Sequence, residues 1–153
     1  HCEKNKDVRK SKVNQILSRL NLNSHRKKYP YQLSGGLAQL VSIGRSLIID
    51  PDVLLFDEPF SSLDYGTTRV MHKKILDLWE KSKKPTFFVS HSLDEAILLS
   101  DKIIVFSSSP GTVAKIIPVH LGRPRALSCL TTKKFNKIKS RVLAAFQGHL
   151  HET

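Results

Sequence analysis

Three short stretches of the sequence carry side chains with chemical potential. Asp57-Glu58 follows the apolar run Val53-Leu54-Leu55-Phe56. Such a run reads as a β-strand covered on both faces, with two carboxylates at its C-terminal end. Ligands of open α/β sheets bind outside that end. One carboxylate can hold Mg²⁺, usually through water, while its neighbour orients or deprotonates an attacking water. Ser34-Gly35-Gly36 stands directly before an apolar stripe at helical spacing, and a helix N-terminus with glycines suits a phosphate. His91 follows the apolar stretch Thr86–Val89, where an imidazole can meet a phosphate or a water. Each has a plainer alternative: an acidic turn, a serine cap with a flexible glycine pair, and a structural histidine. Ser61-Ser62-Leu63-Asp64 is by itself a polar loop that could cap the next helix.

The elements that must position these residues are legible from periodicity. Val13, Ile16, Leu17 and Leu20 predict a helix, and residues 21–31 a loop. The cleanest helix spans Gly36 to Ile49 and ends at Asp50-Pro51. Strands are expected at 53–56, 86–89, 102–106 and 113–119. Helices are expected around Met71–Trp79, from Ser92 to Leu99, and around Phe135–Phe146. Ser92 and Glu95 form a capping-box pair, and Ser107–Gly111 has hairpin character. Strand and helix alternate, so the fold class is α/β with parallel strands and right-handed crossovers. One crossover joins the strands ending at Phe56 and Val89, which puts Asp57, Glu58 and His91 on one sheet edge.

The order of these motifs resembles the ABC ATPase family, over about Tyr29 to Ile104. Leu33–Gln39 is similar to its signature motif, Val53–Glu58 to its Walker B strand, Ser61–Asp64 to its D-loop and His91 to its switch histidine. The resemblance implies the C-terminal part of a P-loop NTPase-like fold, parallel strands with flanking helices and the Walker A portion absent. Residues 1–32 would end a helical subdomain, 33–119 would be the ATPase core, and 120–153 a basic C-terminal extension. It implies ATP and Mg²⁺ as ligands, in a head-to-tail dimer with a second ATPase subunit. Ser34, Gly35, Gly36 and Gln39 would then meet the nucleotide bound by the partner. Asp57 would hold Mg²⁺ through water, Glu58 would be the general base, His91 would sense the γ-phosphate and Asp64 would link the two sites.

The tail is similar to importers of nitrate, sulfonate, taurine and related solutes, through Pro110-Gly111 and Arg123-Pro124-Arg125. By residue chemistry alone, 123–125 is a basic surface segment. The importer resemblance implies transmembrane permease subunits and a periplasmic or extracellular solute-binding protein as partners. It also implies a peripheral place on the cytoplasmic face of the inner membrane.

Departures from the family are visible. No glycine is followed by lysine, so the phosphate-cradling Gly-Lys-Ser/Thr is missing and an isolated fragment is expected to be inactive. Leu40, on the apolar stripe of the Gly36–Ile49 helix with Leu37 and Val41, stands where an arginine is usual, which suggests a lost surface ion pair. Opening on His1, the chain reads as starting inside a longer one. A non-catalytic remnant or split-gene product is the first alternative. A nucleic-acid-associated ABC ATPase, prompted by the net charge of +12, is the second. No aromatic-basic interleaving supports the latter, and no nucleic acid is expected. Cys2 and Cys129 form no metal-ligand spacing, and no apolar run reaches the roughly 18 residues of a spanning helix.

Overall fold

The computed structural model describes residues 5–107 and 111–148. The chain divides into two compact units, residues 1–55 with 59–87, and 56–58 with 88–153.

In the first unit, α1 (Lys6–Arg19) is capped by Asn5, whose side chain accepts from the Asp7 and Val8 amides. Helix α2 (Gly35–Leu47) follows a loop with two 3₁₀ turns. The two helices approach closely at Gly44, where a Cβ would lie 3.0 Å from Leu20 Cδ1 and 3.1 Å from Ile16 Cγ2. Helix α3 (Tyr65–Ser82) buries Met71, Ile75 and Leu78 as expected, with His72 and Leu76 besides, while Trp79 is half-buried. It ends at Lys83, in the left-handed conformation.

Leu40 is 3% exposed. It belongs to the core of this unit, as its place on the apolar stripe leads one to expect. The position lies on the apolar stripe of α2, where burying a leucine is worth about 1.5–3 kcal/mol.

Strands β1 (Leu54–Asp57) and β2 (Thr86–Val89) form a two-stranded sheet. Leu54 N donates to Pro85 O and Glu58 N to Val89 O. The same step along both strands makes the pair parallel. Their exposure alternates, contrary to the expected burial on both faces. Leu54 and Phe56 are buried, but Leu55 is 76% exposed and Phe87 60%. An apolar run alone does not reveal which face the described residues leave open.

In the second unit, α4 (Leu93–Leu99) leads to β3 (Lys102–Phe106). The alternation of elements suggested β3 as a third parallel strand. It pairs instead antiparallel with β4 (Val113–Pro118), from Lys102 opposite Pro118 to Phe106 opposite Val113. The short connection lets β4 return directly onto β3, which closes a smaller loop than a crossover does. Part of the expected hairpin turn, residues 108–110, lies outside the described residues. Helix α5 (Lys133–Gly148) packs on this unit through Phe135, Ile138, Val142 and Ala145. Ala145 thus takes the inward place expected of Phe146, which is 48% exposed.

Candidate functional site

In the second unit the backbone leaves β1 at Asp57 and turns sharply. Glu58 has φ 44°, a left-handed conformation that a residue with a Cβ adopts at a cost. Its amide donates to Val89 O at 3.1 Å, which ties the turn to the end of β2. Phe56 and Phe88 pack just beneath, ring centroids 5.7 Å apart.

The Glu58 side chain then meets His91, with Nδ1 2.8 Å from Oε2. A carboxylate only accepts, so Nδ1 carries the proton and donates. A neutral imidazole so oriented presents Nε2 as an acceptor. A doubly protonated one donates from Nε2 as well. The His91 side chain is 75% exposed and that of Glu58 34%, so the pair opens to solvent. Asp57 is exposed beside it. The three residues expected on one edge therefore belong to one unit, with Glu58 and His91 in direct contact.

The loop bearing His91 is held by hydrogen bonds. Ser92 caps α4, accepting from Glu95 N at 3.4 Å. The reciprocal arm of the expected capping box takes another route. Glu95 does not reach Ser92 N directly. Its Oε2 accepts from Ser90 Oγ at 2.6 Å, and Ser90 Oγ accepts from Ser92 N at 3.0 Å.

The far end of α4 is held by residues that sequence reasoning assigned to a basic surface. Arg125 is 7% exposed. Its Nη1 donates to the carbonyls of Ile97, Leu98 and Ser100 at 3.2, 3.1 and 2.7 Å, and Nη2 to Asp101 Oδ1 at 2.9 Å. Arg123 Nε adds 2.9 Å to the same Asp101 oxygen. A guanidinium at a helix C-terminus satisfies the orphan carbonyls there. Burial, with Arg123 beside it, pushes the Arg125 pKa down, and the Asp101 carboxylate opposes this. The only hint in sequence was a pair of arginines around a proline, with no cue to their target.

In the first unit, Ser34 caps α2, its Oγ accepting from Leu37 N at 3.5 Å. Ser34 and Gly35 are exposed and Gln39 is half-buried. Gly36 is buried, and a Cβ there would come 2.5 Å from Thr67 Cγ2. Its lack of a side chain is thus demanded by the packing of α2 against α3. Asp64 caps α3, with Oδ1 accepting from Thr67 N at 2.9 Å and Oδ2 from Thr67 Oγ1 at 2.6 Å. Those bonds hold its carboxyl below the usual aspartate range, the Thr67 hydroxyl contributing most.

No group of three or more His, Cys, Asp or Glu side chains that could enclose a metal occurs among the described residues. Asp57 is exposed, and a single carboxylate of this kind could take one place on a hard cation that keeps most of its water. No described helix is long and apolar enough to cross a membrane.

Comparison with known proteins agrees with this architecture. The ABC transporter family model matches residues 2–61. The chain belongs to the ABC transporter ATP-binding family. Among curated relatives, it is 38% identical over 138 residues to the aliphatic sulfonates import ATP-binding protein SsuB of Bacillus subtilis, covering 90% of this chain and 53% of that protein. It is 44% identical over 109 residues to the ABC transporter ATP-binding protein MJ0412 of Methanocaldococcus jannaschii, covering 71% of this chain and 41% of the relative. The chain thus spans about half the length of these relatives. The solved structure of MJ1267, an ATP-binding cassette of an ABC transporter, superposes with a TM-score of 0.62 at 26% identity, over 90% of this chain and 52% of that one.

Proposed function

We propose that this chain is the signature-, Walker B- and switch-bearing part of an ATP-hydrolysing subunit that powers import of a small solute. An aliphatic sulfonate is the favoured class, with nitrate and taurine as related candidates. The observation that carries the reading is the 2.8 Å contact between Glu58 and His91, at the C-terminal ends of parallel strands and beside an exposed Asp57. Asp57 and Glu58 at the end of β1 and His91 just past β2 bring three titratable groups to this edge, with Glu58 in a left-handed conformation. The sulfonate class is supported by the similarity to SsuB.

In this reading Asp57 would hold the Mg²⁺ of a bound ATP through water, and the nucleotide would supply the phosphoryl group. Glu58, held by His91, accepts the proton of the attacking water, and its partial exposure gives that proton a path to solvent. His91 meets the γ-phosphate through Nε2 while Nδ1 still grips Glu58. The exposed Ser34 and Gly35 amides, at the positive end of α2, face the nucleotide of a second subunit, with Gln39 behind them. Asp64 caps α3 and links the two sites across that dimer. Permease subunits and a solute-binding protein complete the assembly at the cytoplasmic face of the membrane. Residues 1–32, 33–119 and 120–153 are taken as the end of a helical subdomain, the core and a basic extension.

A second reading, that the chain pairs with a separate P-loop-bearing polypeptide, is favoured by the open apolar positions Leu55 and Phe87. The test of the main reading is Glu58→Gln in a chain joined to a P-loop-bearing half. ATP binding is expected to persist while hydrolysis falls about 10²–10⁴-fold, the range for loss of a positioned proton acceptor. Retention of most of the turnover would overturn the assignment of Glu58.

A further inference from the structure

We infer that the buried Glu95 is the positioning residue of the His91 loop, acting through the hydroxyl of Ser90. Glu95 is 8% exposed. A carboxylate in such a place must be hydrogen-bonded to be tolerated. A Glu at this point of a capping box ordinarily reaches the N-cap amide itself. Here it takes the Ser90 hydroxyl at 2.6 Å, and that oxygen accepts from Ser92 N at 3.0 Å.

The direction of this relay follows from its chemistry. An ionised carboxylate can only accept, so the Ser90 proton must point to Glu95. That leaves a lone pair on Oγ for the Ser92 amide. Residues 90 and 92, on either side of His91, are thereby locked to one another and to the first turn of α4. The lock matters because packing does not supply one. With 75% of its side chain exposed, His91 depends on its backbone to place Nδ1 on Glu58. Glu58 has its own anchor, the bond from its amide to Val89 O. The two partners are thus held by separate tethers, and Glu95 sets one of them.

As geometry this stands alone. As a role in hydrolysis it rests on the function proposed above. The geometric test uses the ¹⁵N-labelled 153-residue chain and long-range ¹H–¹⁵N spectra of its imidazoles, with His91→Phe to identify the signal. Glu58→Ala sets the shift of an unpaired His91. Ser90→Ala is expected to move His91 most of the way to that position while the other imidazoles stay. Glu95→Ala should do the same. Glu95→Gln, whose amide oxygen still accepts from Ser90, should hold the wild-type signal. If Glu95→Ala does not fold, Ser90→Ala alone decides, since it removes a single oxygen. A His91 signal unmoved by Ser90→Ala overturns the relay, as does one that Glu58→Ala fails to move.

In a chain completed with a P-loop-bearing half, Ser90→Ala should lower kcat about tenfold with KM within about twofold, the pattern of a misplaced group in the transition state. A rise in KM at constant kcat would count against positioning. A completed wild-type chain that hydrolyses no ATP would count against the proposed function and leave the imidazole result standing.

Discussion

The region around Gly36 and Asp64 and the region around Glu58 and His91 are built on opposite grounds. In the first, structural needs account for two of the conspicuous residues. Gly36 is small because Thr67 occupies the space of its Cβ, and Asp64 spends both carboxylate oxygens on Thr67. In the second, directed bonds hold the conspicuous pair. Glu58 sits in a left-handed conformation, and its partner His91 is mostly exposed. A motif residue that the fold needs anyway says little about chemistry. One held against local preference, by bonds directed at it, says more.

Substitutions should separate the two regions by the sign and size of their effect on stability. The largest loss is expected in the first unit's core, at the buried face of α2. Leu40→Ala should cost about 2–5 kcal/mol in denaturant unfolding of the 153-residue chain, as buried leucine truncations do. A cost below about 0.5 kcal/mol, the scale of a surface substitution, would return Leu40 to the surface. Gly36→Ala should cost about 1–3 kcal/mol, because the added methyl overpacks the contact with Thr67. If it proves neutral, the glycine is there for a ligand and the comparison loses its first arm.

Glu58→Gly should go the other way. Relief of the positive φ is expected to leave stability unchanged or raise it by up to about 1 kcal/mol. A clear destabilisation would show that the turn at Glu58, too, is built for packing. The smallest effect is expected at Asp64. Its carboxyl pKa is lowered in the folded chain, so its contribution is present above the unfolded-state pKa and fades as pH falls through the folded one. Asp64→Ala should therefore lower Tm slightly at neutral pH, and the gap to wild type should close in acid. Asp64→Asn, which keeps an accepting oxygen, should lower it less. A gap that widens in acid would contradict the capping role.

Much was legible in the chain alone, because hydrophobic period and cap chemistry are local. The spacing of Leu37, Leu40 and Val41 announced α2, Ser92 announced the start of α4, and the order Ser-Gly-Gly, Asp-Glu, Ser-Ser-Leu-Asp, His pointed to one family. Other features rest on groups far apart in sequence. Nothing near residue 125 says that its guanidinium will close α4 at Ile97, Leu98 and Ser100. Nothing in an apolar run tells whether Leu55 will be covered, or whether β3 will join a parallel sheet or fold back on β4. The Glu95–Ser90–Ser92 relay lay between. Its residues are neighbours, but which amide the carboxylate would serve depended on burial and on the path of the loop. Local preferences are written residue by residue. Long-range pairing is decided only when the backbone brings distant donors, acceptors and apolar faces together and excludes water from them.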